Sequence, residues 1–324
     1  MILSEKQLRE VTLGALEIYT EDGLYRFKRM TDAQGEEFVR ENSDFANKTR
    51  ATSGVRFDFY TDSDYIVVEF GGVLSGSSRK MLSFDICVDG NLHTSFFRSN
   101  MDVLEGKIRA DFEKGEKHVQ FFLPCLANAG IKSVELSDGA YVKPFQPKYK
   151  MLVLGDSITQ GYTAYNTSRC YANLMARKLD AEIVNQAIGG ARFYKEQLEK
   201  TQDYDIVTVA YGTNDWSGKD SFKTFYDDCE EYIKLLSEQH PNAKKFIILP
   251  IWRAHHHYPK PTGNFFVCRD AIAQIAERYG CIALESIDYV PHDSVFFEDE
   301  TLHPNDIGFE AYAIKLVNDI KKYL

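Results

Sequence analysis

Gly155-Asp156-Ser157-Ile158-Thr159 stands directly after the apolar run Met151-Leu152-Val153-Leu154. A short buried strand that ends in a glycine turn sets a serine where the next helix begins. Its hydroxyl then lies near backbone N–H groups that lack a helical acceptor. Such a position suits a nucleophile, but a serine hydroxyl is a poor one until a base comes within hydrogen-bond reach. His303, just ahead of Pro304, can be that base, since an ordinary imidazole titrates near pH ~6.5. A third group must fix the imidazole tautomer and stabilise the imidazolium. Glu300 lies three residues before His303 and Asp299 one residue further back. Attack on a carbonyl creates an oxyanion, and donors already aimed at it are often the largest catalytic contribution. The Ser157 N–H, the Gly190 backbone and the Asn214 side-chain amide are the candidates. Taken singly, Ser157 reads as a helix N-cap and Asn214 as a turn residue. It is their conjunction with His303 that favours chemistry. Asp156 and Asp215 read as structural hydrogen-bond acceptors.

These residues need a scaffold that gathers distant segments. After Lys143-Pro144-Phe145-Gln146-Pro147-Lys148, whose prolines suggest a linker, strand-like runs alternate with helix-period segments. Met151–Leu154, Glu182–Asn185, Ile206–Ala210, Phe246–Ile251 and Cys281–Leu284 read as strands. Tyr171–Leu179, Phe222–Leu236, the region of Ile272 to Ala276 and a last segment from about Pro304 read as helices. That alternation predicts a parallel sheet covered on both faces. Ligands of such sheets bind at the carboxyl ends of the strands, near the reversal of strand order. Ser157, Gly190, Asn214 and His303 each follow a strand or precede a helix, so they are expected to meet there. From Val11 to about Val142 the apolar residues alternate in twos, as in Val55-Arg56-Phe57-Asp58-Phe59 and Phe84-Asp85-Ile86-Cys87-Val88. Turn signals such as Asp89-Gly90-Asn91 separate these runs. The pattern predicts an all-β antiparallel sandwich or jelly roll over residues 1–147, followed by an α/β domain over 148–324.

Composition bounds the partners. The 324 residues are 44% hydrophobic and 27% charged, with a formal net charge of -10. This argues against nucleic-acid or anionic-membrane binding. The six scattered cysteines, with no C-x-x-C pair, read as reduced thiols. With no apolar leader at the start, the expected location is cytoplasmic. His255-His256-His257 invites a metal reading, but adjacent histidines do not converge on one point, so neither metal nor cofactor is expected. Trp252 and Arg253, at the end of the fourth strand, are a possible substrate wall; Tyr162 and Arg192 are similar candidates.

Gly155-Asp156-Ser157, Gly190 in Asn-x-x-x-x-Gly, Gly212-x-Asn214-Asp215 and His303-Pro304-Asn305 together resemble the four blocks of the SGNH (GDSL) hydrolase superfamily. The resemblance covers roughly the second half of the chain. It implies a flavodoxin-like three-layer α/β fold and hydrolysis of esters, thioesters or sugar O-acetyl groups. It also implies Ser157 as nucleophile, His303 as base, and an oxyanion hole of Ser157, Gly190 and Asn214. One position departs: the family usually has Asp three residues before the histidine, where this chain has Glu300. Glu300 is favoured on that spacing. Asp299, or a Ser-His dyad oriented by a backbone carbonyl, are the alternatives. The β-rich first half is similar to the jelly roll that precedes the catalytic domain in carbohydrate esterase family two. The resulting expectation is a serine esterase for small acyl groups, chiefly O-acetyl on a carbohydrate, acting on a small-molecule or oligosaccharide ester. A thioesterase or lysophospholipase, and a carbohydrate-binding protein with weakened catalysis, are the competing readings.

Overall fold

The computed structural model describes all 324 residues. In its second half five strands form one parallel sheet: the first Tyr149–Gly155, the second Ala181–Asn185, the third Ile206–Ala210, the fourth Lys244–Ile248 and the fifth Ile282–Leu284. Their spatial order is second, first, third, fourth, fifth. The order reverses at the first strand, and a crevice is thereby left at the carboxyl ends of the first and third. The middles of the first, third and fourth strands are buried on both faces, which is why Met151–Leu154, Ile206–Val209 and Phe246–Ile248 are almost wholly apolar. Leu152, Leu154, Val184, Val207 and Val209 enter one core with the helices Phe222–Gln239 and Phe265–Arg278. Met151, Val153, Ile183 and Ile206 enter the opposite core with Tyr171–Lys178 and Asp306–Lys321. This is a three-layer α/β fold of flavodoxin-like strand order.

The first half holds two antiparallel sheets. One runs, in spatial order, Thr12–Leu13, Arg56–Thr61, Lys117–Phe122, Leu82–Val88, Asn91–Arg98. The other runs Glu17–Glu21, Leu24–Lys28, Ala127–Leu136, Tyr65–Ser75, Gly106–Asp111. The alternating residues anticipated from sequence meet in a shared core, with Phe57, Phe59, Phe84 and Phe121 from one sheet against Val68, Phe70 and Ile131 from the other. Phe57 and Phe121 stack with ring centroids 5.7 Å apart.

Two features depart from the alternating pattern. The helices Asp32–Glu41 and Phe45–Lys48 interrupt the strands. Thr31 caps the first of them through the Gln34 N–H, in a reciprocal box with the Gln34 side chain. Their apolar residues Phe38 and Phe45 do not join the sandwich core; they pack into the α/β core with Val184, Ile188 and Phe193. The proline-bearing segment after Val142 is also not free. Lys143–Pro144 pairs with Arg56–Thr61, and the Phe145 N–H donates to the Asp58 carbonyl. Arg56, buried against Asp58 at 2.7 Å, donates onward to the Ala181 carbonyl at 2.9 Å, so the two halves are joined through polar as well as apolar contacts. No helix is long and apolar enough to cross a membrane.

Candidate active site

Ser157 is the first residue of a one-turn helix, Ser157–Gln160, that follows the first strand. The turn is tight. A Cβ added at Gly155 would lie 2.1 Å from the Thr159 hydroxyl, so only glycine fits between the strand end and the helix. Asp156 caps the helix by accepting the Ile158 N–H at 3.0 Å. Burial of Asp156 pushes its carboxyl up to about 6 against that hydrogen bond. As first residue of the helix, Ser157 has a backbone N–H with no intrahelical acceptor.

The Ser157 hydroxyl donates to His303 Nε2 at 2.9 Å. The other ring nitrogen, Nδ1, donates to Asp299 Oδ2 at 2.6 Å. Asp299, not Glu300, is therefore the acid that meets the imidazole. The physical reason is local. Asp299 Oδ1 accepts the N–H groups of Thr301, Leu302 and His303 at 3.0, 2.8 and 3.0 Å, so its side chain folds inside the loop. Glu300 adopts a left-handed backbone with φ 61° and is exposed, and its carboxylate makes no hydrogen bond. Partial burial alone would raise the Asp299 pKa. The hydrogen bonds from His303 and the three backbone groups outweigh it and hold the carboxyl well below its usual range. The Tyr162 ring packs at a tilt against His303, with centroids 5.1 Å apart.

The donors for an oxyanion come from the second and third strands. Gly190 has φ +93°, a left-handed conformation that favours glycine, and its N–H has no partner within the protein. A Cβ at the preceding Gly189 would sit 3.5 Å from Ser157 Cβ, so this loop passes directly beside the hydroxyl. The Asn214 amide donates one N–H to the Ala191 carbonyl at 3.1 Å and keeps the second free. Asp215 ties these segments together by accepting the Phe193 N–H at 3.0 Å and the Gly212 N–H at 3.1 Å. Complete burial pushes its carboxyl up to about 7.

Several residues that motif reading passed over hold the Gly190 loop. Gln160 accepts the Gly189 N–H at 2.8 Å. Arg29, fully buried and without a carboxylate, donates to the carbonyls of Asn185, Ala187, Ala51 and Lys48. Burial pulls its pKa down to about 9. Lys48 donates to the Gly189 carbonyl at 2.7 Å. Nothing in the residue types around Arg29 and Lys48 signals these contacts, of which those to Asn185, Ala187 and Gly189 join the first half of the chain to the second.

The expected substrate wall divides. Trp252 lies stacked on His292 at 5.1 Å and 13°, and against Phe297, so one ring face is covered. Arg253 reaches the site, donating to the Thr213 hydroxyl at 2.9 Å beside Asn214. Arg192 turns to the Gly218 carbonyl. Among the three histidines, His255 stacks on Tyr258 while His256 Nδ1 donates to the Arg253 carbonyl at 2.8 Å. A cavity of about 860 Å³ lies in the first half, lined by Tyr19, Phe27, Lys28, Arg40 and Leu74 among others, and Ser157, His303 and Asp299 do not line it.

With this geometry in place the chain can be set beside known proteins. Residues 153–311 match the model of the GDSL-like lipase/acylhydrolase family. No curated protein matches the chain in sequence. Among solved structures, a salicylyl-acyltransferase from a tetracycline biosynthetic pathway is 20% identical, covers 96% of this chain and 94% of its own, and superposes with a TM-score of 0.80. A family two carbohydrate esterase from Cellvibrio japonicus is 17% identical over 96% of this chain and 94% of its own, with a TM-score of 0.64. An acetyl xylan esterase from the rumen bacterium Butyrivibrio proteoclasticus is 14% identical over 83% and 89%, with a TM-score of 0.58. At such identities these structures share the fold, including the β-rich region ahead of the parallel sheet. Residues 153–311 thus match the GDSL-like lipase/acylhydrolase family, and the site that they hold is that of a carboxylic ester hydrolase.

Proposed function

We propose that the protein is a serine esterase that removes small acyl groups, above all O-acetyl, from carbohydrates through an acyl-enzyme. The observation that carries the reading is the continuous chain from the Ser157 hydroxyl to His303 Nε2 and from His303 Nδ1 to Asp299, beside the unpartnered Gly190 N–H and the second N–H of the Asn214 amide. In this reading the Ser157 oxygen attacks the ester carbonyl while His303 Nε2 takes its proton. The Ser157 and Gly190 N–H groups and the Asn214 amide receive the developing oxyanion. His303 then returns the proton to the leaving sugar hydroxyl. A water, deprotonated by the same nitrogen, resolves the acyl-Ser157 intermediate to free acid and enzyme. Asp299, its ionised form favoured by four hydrogen bonds, keeps the proton of the imidazole on Nδ1 and stabilises the imidazolium.

The preference for a small acyl group at Ser157 follows the acetyl xylan esterase whose two-part architecture this chain shares. A long-chain thioesterase or lysophospholipase needs an apolar channel there, since each buried methylene contributes about 0.8 kcal/mol. The carbohydrate preference rests on the shared two-part architecture with carbohydrate esterases. The test is acetate release from acetylated xylan and chitin oligomers, together with a series of nitrophenyl esters. Wild-type protein should release acetate and prefer acetyl over octanoyl. Ser157→Ala should lose at least about 10⁴-fold in kcat. Equal rates for wild type and Ser157→Ala would refute the site, and a preference for long chains would refute the substrate class.

A further inference from the structure

The Gly189 carbonyl and the Gly190 N–H belong to one peptide unit. No peptide bond of the chain is cis, so the two groups point in opposite directions from the same plane. Whatever fixes the carbonyl fixes the aim of the N–H. Two successive glycines flank this peptide, and with no Cβ on either side it is among the most freely rotating in the chain. A peptide that must present its N–H to an oxyanion without reorganising therefore needs an external hold.

Lys48 supplies one. Its ammonium donates to the Gly189 carbonyl at 2.7 Å, from the last residue of the helix Phe45–Lys48 in the first half of the chain. The same ammonium lies 5.0 Å from the centroid of the Phe45 ring, and that ring borders Gly190: a Cβ there would meet Phe45 Cε1 at 3.5 Å and Lys48 Nζ at 3.8 Å. Lys48 is half-buried and forms no ion pair; the carboxylate that bears on its charge is Asp44. A charge-assisted bond in apolar surroundings is stronger than a neutral one and polarises the group it engages. Donation to the carbonyl draws electron density through the peptide and leaves the Gly190 N–H a better donor. Arg29 completes the frame. One guanidinium nitrogen donates to the Lys48 carbonyl at 2.9 Å, while another donates to Asn185 and Ala187 at 2.6 and 2.8 Å, so the holder and the held loop are tied to one rigid group.

We infer that Lys48 is a positioning residue for ester hydrolysis: it orients and polarises the Gly189–Gly190 peptide so that the Gly190 N–H is preset for the oxyanion. The inference rests on the reading of Gly190 as an oxyanion donor given above. It also gives the first half of the chain a part in the chemistry of the second.

Full-length wild type, Lys48→Met, Lys48→Arg and Ser157→Ala proteins are compared with nitrophenyl acetate, with kcat, KM and melting temperature measured for each. Outright loss of one oxyanion donor costs about 10²–10³ in rate. Lys48→Met leaves the donor in place but unheld, so kcat should fall by about 10-fold, with KM within about twofold and an unchanged melting temperature. Lys48→Arg, which keeps charge and donor, should recover most of the loss. Wild-type kcat in Lys48→Met while Ser157→Ala is inactive would overturn the inference alone. So would a loss confined to KM, or a kcat loss that accompanies a lowered melting temperature and is not recovered by arginine. Full activity in Ser157→Ala would overturn the underlying reading of the site, and the inference with it.

Discussion

In the loop Asp299–His303 the restraints on the imidazole's acid come from the loop itself: one carboxylate oxygen gathers the N–H groups of Thr301, Leu302 and His303, and the other meets the imidazole. The loop Asn185–Gly190 is built the opposite way. Its carbonyls and N–H groups end on Gln160, Arg29 and Lys48, the last two more than a hundred residues away in the chain. A self-contained loop gives the histidine a fixed position at small entropic cost, because few residues must be ordered to make it. A loop held from afar makes the oxyanion side of the site conditional on the docking of another part of the fold. One side of the active site is thus local chemistry, and the other is tertiary structure.

The largest expected effect breaks the local side. Asp299→Ala removes the partner of Nδ1 and the acceptor of three backbone N–H groups at once. A fall in kcat of about 10³–10⁴-fold on nitrophenyl acetate is expected, with the tautomer no longer fixed. If kcat fell less than tenfold, a dyad would suffice and the loop would be scaffolding only. The distant side breaks differently. Arg29→Met takes a buried donor from four carbonyls, of which that of Lys48 keeps the Ala51 N–H. It should destabilise the fold by on the order of 3 kcal/mol and lower activity through the loop it releases. Urea unfolding and kcat together measure this. Full stability with full activity would show that the loop holds itself after all.

The two sides also differ in how acid acts on them. Asp299 is depressed, so its contribution to stability is present above the ordinary carboxylate range and is lost as the pH falls through and below that range. Asp215, which ties the second and third blocks, is raised to about 7 by burial. A raised carboxyl contributes stability that is complete below its unfolded pKa of about 4 and is lost as the pH climbs through its folded value. The window for Asp215 is therefore pH 4 to 7. Asp215→Asn keeps an acceptor but cannot ionise. Its melting temperature should lie furthest below wild type near pH 4, and the gap should narrow toward pH 7. A gap constant across that range would show that the Asp215 carboxyl does not titrate within it.

The same division explains what could be read from the chain alone. The ends of strands are short, apolar and followed by chemically distinctive residues, so Ser157, Gly190, Asn214 and His303 were identifiable, as were the five parallel strands. The alternation in Phe57, Phe59, Phe84 and Phe121 announced the sandwich core. What failed to show was of two kinds. The choice between Glu300 and Asp299 turns on one residue entering the left-handed region, which spacing does not encode for a glutamate. The helices Asp32–Glu41 and Phe45–Lys48 carry their apolar residues to the core of the other half, so reading them within an all-β segment hid both the helices and their purpose. Arg29 and Lys48 have no motif because their function is set by carbonyls, which every residue has.

The smallest expected effect sharpens the local side. Glu300 sits at φ 61°, where an L side chain is strained by roughly 1–2 kcal/mol. Glycine there relieves the strain, though it adds freedom to the unfolded chain, and the two nearly offset. Glu300→Gly should therefore raise stability by at most about 1 kcal/mol. Because the Glu300 carboxylate is exposed and unbonded, kcat should stay within about twofold of wild type, as for other surface side chains. The pairing of the two variants is what discriminates. If Asp299 is the acid, Asp299→Ala and Glu300→Gly differ by orders of magnitude in kcat at matched folding. A large loss in Glu300→Gly, with the melting temperature intact, would mean that the loop rearranges on substrate binding and that the spacing was the better guide.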